Sequence, residues 1–335
     1  MRIGIVGVGR IGAMHASNFA SLDEVEELLL FDAAKGRAGE VASGLGERVR
    51  DAGSLDSLIS DADGVLIATP TTLHPEMVRR CLDARVPVFC EKPIAFDLLE
   101  MTSLIADIER SGVEVLVGFQ RRFDPPTVEL QRRIRAGEVG TVYLVRALGL
   151  DAEIPHLSYI PTSGGIHRDL LIHDLDAVPW LVGEPVVEVY ASGSVLVHEA
   201  FAEADDVDNT VVMVRFASGA HALLCGARHN ALGYDCRIEV FGSKDSLAVG
   251  LNPRTPITSL DPDGPRVGAN AYPGFPERFR AAYLNELSVF LDVIAGRAAN
   301  PSPARDSIVS FRLAEACEMS RRSGRPVRLD ELVPG

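Results

Sequence analysis

The run GGIHRDLLIHDLD at 164–176 places Asp169, His173 and Asp176 at steps of four and three. A helix of 3.6 residues per turn carries such steps on one face, and Leu171, Leu175, Val178 and Val182 repeat them on the opposite face. The leucine and valine stripe is suited to a core. The other stripe gains nothing from packing, and its imidazole and carboxylates are groups that hold and move protons or bind a metal ion. Pro179 falls inside the same segment and removes a backbone donor, so the helix is expected to bend there or to enter its last turn.

A second chemical feature lies at the N-terminus. Gly7, Gly9 and Gly12, with Arg10 and Ile11 in the spacing Gly-x-Gly-x-x-Gly, follow the β-branched run 3–6 and lead into a helical pattern. The first glycine permits a tight turn, the second lets backbone N–H groups approach a pyrophosphate, and the third lets helix and strand pack closely. The spacing alone is a weak signal. Asp32 strengthens it, because it ends the next strand-like run, where a carboxylate can hydrogen-bond a ribose 2′-hydroxyl. A carboxylate there would repel a 2′-phosphate, so NAD is the expected cofactor, although Lys35 and Arg37 stand close enough to soften the preference.

The elements needed to hold these groups are legible in outline. Runs at 3–6, 28–31, 65–68, 86–89 and 113–117 alternate with helical patterns, as a parallel sheet covered on both faces requires. Pro75 suits a first helical position, and Asp97 can cap a helix that runs to Ser111 and Gly112. From about residue 140 the pattern changes. Strand-like runs at 186–197, 210–216, 219–226, 235–242 and 245–250 follow the helix that ends at Gly183, then a loop at 252–276 and helices near 277–295 and 303–323. The expected fold is α/β, with a dinucleotide-binding Rossmann domain at 1–120 and a second domain at 121–335 built on a large, mostly antiparallel open sheet.

Composition narrows the partners. With 335 residues and 47% hydrophobic content the chain can bury a large core, and its formal charge of -14 argues against nucleic acid as a main partner. No apolar run approaches the roughly 20 residues that span a bilayer, and the N-terminus lacks a signal-peptide layout, so a cytoplasmic protein without a membrane partner is expected. The five cysteines are scattered without a Cys-x-x-Cys pair, which points to neither a disulfide framework nor a structural zinc.

Three further stretches complete a pattern: IATPTTLH at 67–74, CEKP at 90–93 and GFQRRFD at 118–124. With the glycine fingerprint and the 164–176 run, they make the chain resemble the Gfo/Idh/MocA oxidoreductases, and within that family most of all the inositol 2-dehydrogenases. The segments GYD at 233–235 and RFRAAY at 278–283 add to the likeness. The resemblance implies a substrate cleft between two domains, a tetramer formed through the open sheet, a cis Lys92–Pro93 bond, and a catalytic set at Lys92, Asp169 and His173. It further implies cofactor contacts at Thr69, Pro70, His74, Glu91 and Lys92, and substrate contacts at Lys92, Arg122, Asp151, Asp169, His173 and Tyr234.

The chemistry agrees with that set. Oxidising a secondary alcohol removes a proton from oxygen while hydride leaves carbon, and imidazole, with an ordinary pKa of about 6.5, suits the base. Asp169 would orient His173, and Lys92 would stabilise charge developing on the oxygen. Plainer readings exist: Asp169 and His173 as a surface pair worth a few tenths of a kcal/mol, Lys92 as a solvated strand-end lysine, His74 as part of a helix start, Arg122 in a salt bridge, and Tyr234 as packing. A metal site from His167, Asp169 and His173 is conceivable, but the lysine and nicotinamide scheme needs none, and no metal is expected.

Two departures bear on the substrate. Leu150 stands where the inositol enzymes tend to carry an arginine, and Leu232 where they often carry an aromatic residue. Neither leucine can hydrogen-bond a polyol. The expected activity is NAD-dependent oxidation of a cyclitol, most simply myo-inositol to a ketoinositol. A dehydrogenase of an aldose or other sugar derivative is the alternative within the enzymes, and an NAD(H)-binding regulatory protein without turnover is the alternative outside them.

Overall fold

Each β-branched run of the first part forms a strand whose side chains are buried on both faces. In a computed structural model, which describes residues 1–264 and 270–332, β1 (Arg2–Val6), β2 (Glu27–Phe31), β3 (Val49–Asp51), β4 (Gly64–Ile67), β5 (Val88–Cys90) and β6 (Val115–Val117) make one sheet. Its order is β3-β2-β1-β4-β5-β6 and every pairing is parallel. Asp97 caps the helix Leu98–Ser111 by accepting from the Glu100 N–H at 2.8 Å, and Gly112 closes that helix at a φ of 69°. Only a residue tolerant of the left-handed region ends a helix in this way without strain.

The chain divides into two units, and the division departs from the single boundary expected at residue 120. The first unit takes Met1–Phe123 and also Ala281–Ile308. Leu287, Phe290 and Leu291 of the helix Arg280–Ile294 join the buried cluster of Ile3, Ile5, Leu28, Leu66 and Phe89. Beyond that helix, the Ser302 carbonyl accepts from the Val117 N–H of β6 at 2.9 Å and the Ser302 hydroxyl donates to the Val117 carbonyl at 2.8 Å. An amphipathic pattern reveals that a helix has an apolar face but not which sheet will cover it, so this return was not readable from the sequence.

The second unit carries a seven-stranded sheet in the order β12-β11-β7-β10-β9-β8-β13. Its strands are β7 (Val142–Leu150), β8 (Val186–Ser194), β9 (Asn209–Phe216), β10 (His221–Ala227), β11 (Asp235–Gly242), β12 (Ser246–Val249) and β13 (Val327–Arg328). Only β7 with β10 is parallel among these pairings, so the sheet is mostly antiparallel as expected, while β7 itself was absent from the anticipated strands. Leu171, Leu175, Val178 and Leu181 pack in one cluster with Val145, Val212, Val214, Leu224 and Ile238, on one face of the sheet. On the other face Tyr190, Val211, Met213 and Leu223 are exposed.

The 164–176 run is helical but not continuous. Helix Ile166–Asp169 and helix Ile172–Val182 are separated at Leu170 and Leu171, where the Leu171 N–H reaches back five residues to the Ile166 carbonyl at 2.8 Å. Asp169 and His173 therefore sit on two successive helical segments rather than on one stripe. Pro179 opens the last turn, which closes on Gly183 at a φ of 74°. The expected loop at 252–276 is irregular where described, and its residues 265–269 lie outside the described residues. Among the described residues, no helix is long and apolar enough to cross a membrane.

Candidate active site

The carboxyl ends of the parallel strands gather the first set of residues. Gly7 has a φ of 87°, and a Cβ there would lie 2.8 Å from the Ala68 carbonyl oxygen. At Gly12 a Cβ would lie 1.9 Å from the Gly7 carbonyl oxygen, so a larger residue would force the turn and the helix apart. Gly9 meets nothing within 4 Å and starts the helix Arg10–Ala20 without a side-chain cap. The amides of the first turn, beginning at Arg10 and Ile11, thus face space that a pyrophosphate fits.

Asp32 follows β2 and is fixed by two backbone donors. Its Oδ2 accepts from the Val8 N–H at 2.9 Å and its Oδ1 from the Ala34 N–H at 2.8 Å, with the Arg37 guanidinium 3.6 Å away. Each oxygen keeps lone pairs for ribose hydroxyls. After β4, the Thr69 hydroxyl is buried without a hydrogen-bond partner, an orphan group of the kind a bound cofactor would satisfy. Pro70 continues that loop and is exposed. These residues fit NAD.

His74 was expected as a cofactor contact. It is buried, and its two ring nitrogens face backbone carbonyls, Nδ1 that of Pro93 at 2.8 Å and Nε2 that of Thr69 at 2.9 Å. Burial pulls its pKa down against the upward pull of both carbonyls and of Glu91, and the net shift is downward. A neutral ring donates to one of these two carbonyls and packs against the other, so His74 sits between the β4 loop and the turn that carries Lys92. That turn contains the expected cis Lys92–Pro93 bond. Glu91 lies between strand end and lysine, its Oε1 2.7 Å from His15 Nε2 and its Oε2 accepting from the Lys92 N–H at 3.3 Å.

In the second unit the structure brings Asp151 and Asp169 together through a residue that the sequence had not singled out. Arg228, immediately after β10 and 4% exposed at its side chain, reaches Asp169 Oδ2 with NH2 at 2.9 Å and Asp151 Oδ2 with NH1 at 3.5 Å. Burial works against its charge, but the two carboxylates outweigh burial and raise its pKa. The Tyr159 hydroxyl donates to Asp169 Oδ1 at 3.0 Å. Asp169 is thereby held by a cation and a phenol, and His173 stands half-buried near the start of the following helix. The available signal for Arg228 was a single charged residue ending an apolar strand-like run.

Arg122, Tyr234 and His167 each have partners outside the Asp169 cluster. Arg122 is buried and pairs with Asp306 at 2.8 Å and the Pro301 carbonyl at 3.2 Å, which ties the returning segment into the first unit. Its neighbour Asp124 pairs instead with Arg278 at 3.2 Å. Tyr234 is buried, bonds backbone to backbone with Tyr272 at 2.8 Å and meets the Phe279 ring edge-on. His167 is buried, with its Nδ1 3.2 Å from Glu318 and its Nε2 3.0 Å from the Thr210 hydroxyl.

A parallel sheet in this order, with a glycine cradle and a ribose-directed acid at its carboxyl edge, defines an NAD-binding oxidoreductase domain. Residues 1–119 match the model described as "Oxidoreductase family, NAD-binding Rossmann fold", and residues 127–248 match the GFO/IDH/MocA C-terminal domain. The chain belongs to the Gfo/Idh/MocA oxidoreductase family. It is 36% identical to the myo-inositol 2-dehydrogenase of Thermotoga maritima over 99% of this chain and 100% of that one. A crystal structure of a probable dehydrogenase from Thermotoga maritima superposes with a TM-score of 0.91 at 36% identity, covering 99% of this chain and 100% of the other. The Lactobacillus casei scyllo-inositol dehydrogenase with bound NAD(H) and scyllo-inositol superposes at 0.87 with 25% identity, over 98% and 99% of the two chains. The cofactor of the present chain is NAD, and the chain is a dehydrogenase acting on CH–OH groups.

Proposed function

We propose that this dehydrogenase oxidises a secondary hydroxyl of a cyclitol, with myo-inositol as first candidate and a ketoinositol as product. The observation that carries the reading is the Gly7, Gly9, Gly12 and Asp32 cradle in a chain that is similar from end to end to enzymes named for inositol oxidation. NAD, when bound, supplies the hydride acceptor. His173 takes the hydroxyl proton, Asp169 supports its charged form, and Lys92 hydrogen-bonds the same oxygen and stabilises its developing charge. Asp151 offers a carboxylate to a further hydroxyl. The specific counter-observation is Leu232, 46% exposed, with Leu150 half-buried on β7, two apolar side chains that favour an aldose or less polar sugar derivative.

Initial rates over the inositol isomers and a set of aldopyranoses, with NAD and with NADP, test this reading. Highest kcat/KM on an inositol supports it, highest on an aldose replaces it, and NADH binding without turnover on any polyol leaves a regulatory protein. For the cofactor, Asp32→Ser is expected to lower the NAD preference and admit NADP, aided by Arg37, 3.6 Å from that carboxylate. Wild-type use of NADP equal to NAD would sink the Asp32 argument.

The open face of the second sheet supports a homotetramer. Tyr190 pairs with Met213, and Met213 with Leu223, across β8, β9 and β10, so their exposed side chains form one apolar band, flanked by the Arg146–Glu239 ion pair. A band of this kind is the usual mark of an interface. Met213→Glu should shift the mass seen by light scattering toward monomer, while a wild-type monomer at assay concentrations would refute the tetramer. A cytoplasmic enzyme drawing on the NAD pool completes the reading.

A further inference from the structure

The first unit contains a titratable cluster that neither the cradle nor the reaction uses. Helix Arg10–Ala20 supplies His15, the turn after β5 supplies Glu91, and the returning helix Arg280–Ile294 supplies Glu286. A ligating atom from each lies within 4.8 Å of the other two. A carboxylate only accepts, so the 2.7 Å contact of His15 Nε2 with Glu91 Oε1 places the ring hydrogen on Nε2. Glu286 is 0% exposed, and both of its carboxyl oxygens are buried without a hydrogen-bond partner.

Two carboxylates within 4.8 Å, one of them fully buried and the other half-buried, cannot both stay ionised at low cost. A cation must enter the cluster. The site is walled by rings, with Phe89 5.6 Å and Tyr283 5.9 Å from the His15 ring, centroid to centroid, and with Phe89 packed on Phe290. Three protein ligands in such walls fall short of the four of a closed zinc site, and a magnesium or calcium ion would need several waters beside them. A proton needs no room.

We propose that His15, Glu91 and Glu286 form a buried proton-holding triad, with Glu286 a neutral acid directed at an ionised Glu91, that fixes the strand end from which Lys92 projects. Glu91 accepts from His15 Nε2–H and from the Lys92 backbone N–H, and the Glu286 hydroxyl would be directed at it from within 4.8 Å. Glu286 is a positioning residue, and its influence on turnover rests on the proposed role of Lys92; its protonation does not. Burial first, and the like charge of Glu91 second, push the Glu286 carboxyl well above the usual carboxylate range. The other titratable groups near the cluster are Tyr283 on the same helix, Lys92 next to Glu91, His74, which burial pulls down and Glu91 pulls upward, and Cys90 beside Glu91, whose thiol burial and then Glu91 push up.

The sign of the linkage follows. The unfolded Glu286 carboxyl releases its proton above about pH 4.5 while the folded one keeps it, so rising pH favours unfolding until the folded pKa is reached. Glu286→Gln keeps a neutral side chain with a donor and removes that pH-dependent cost.

The experiment uses the full chain saturated with NAD and reads three quantities. Infrared spectra at neutral pH should show a protonated-carboxyl stretch that shifts in deuterium oxide and vanishes in Glu286→Gln, and thermal midpoints of wild type should fall relative to that variant as pH rises from about 5 to 8. Turnover should survive in Glu286→Gln within about threefold but fall on the order of 10²-fold in Glu286→Ala, the cost of misplacing a reacting group by about 1 Å. Absence of the band, equal losses in the two variants, or a stoichiometric metal ion that Glu286→Gln releases would each overturn the triad. The infrared band stands or falls without reference to turnover, so an inactive wild type on every cyclitol would count against the proposed substrate alone.

Discussion

Alanine at His173 is expected to cost about 10²- to 10⁴-fold in turnover, the range that positioned general bases contribute. Oxidation by the wild type should fall toward acid pH as the imidazole takes a proton and can no longer accept one from the hydroxyl. In the variant that acid limb should vanish, because what remains is catalysed by the rest of the site and by water. NADH affinity should be nearly unchanged, since the cradle of Gly7, Gly9, Gly12 and Asp32 belongs to the other unit. A drop in kcat and kcat/KM together, with cofactor binding intact, identifies an interaction made in the transition state. Lys92→Ala should match it in severity if, as proposed, it removes the charge that stabilises the reacting oxygen. Retained turnover with a retained acid limb in His173→Ala would transfer the base role, with a neutral Lys92 the first candidate.

The residues of this argument were legible to different degrees, for physical reasons. Gly7 and Gly12 could be placed because backbone geometry demands glycine: a positive φ at one and a 1.9 Å clash at the other. Asp97 and Gly112 were legible as helix ends because capping is local chemistry. The break at Leu170 and Leu171 was not, since apolar and polar residues keep helical spacing through it and only the hydrogen-bond ladder records the change. Glu286 was hidden for another reason. Within the helix Arg280–Ile294 it has the composition of a solvated acid, and its burial depends on the return of that helix to the first unit. Arg122 illustrates the same limit, because its partner Asp306 is 184 residues away in the chain.

Arg228 carries the second large expectation. Its guanidinium is the cation between Asp169 and Asp151, and a fork reaching two acids at 2.9 and 3.5 Å is geometry that lysine cannot reproduce. Arg228→Met removes the guanidinium that reaches both carboxylates, which are 15% and 22% exposed at their side chains. Removing one partner of a buried pair costs about 3–5 kcal/mol, so the thermal midpoint should drop by several degrees or more. Turnover should fall as well, because Asp169 loses the contact that holds it one helical segment before His173. Adding Asp151→Asn to Arg228→Met removes one of the two charges left without the guanidinium and should recover part of the midpoint. Turnover should not recover with it, since Asp169 keeps only the Tyr159 hydroxyl and still lacks the guanidinium, and that separation distinguishes a role in the site from one in stability alone. Arg228→Lys should lie between, stable but on the order of tenfold slower, with one acid served instead of two. An Arg228→Met protein as stable and as fast as wild type would mean that the pair at Asp169 neither holds the fold nor aligns the base.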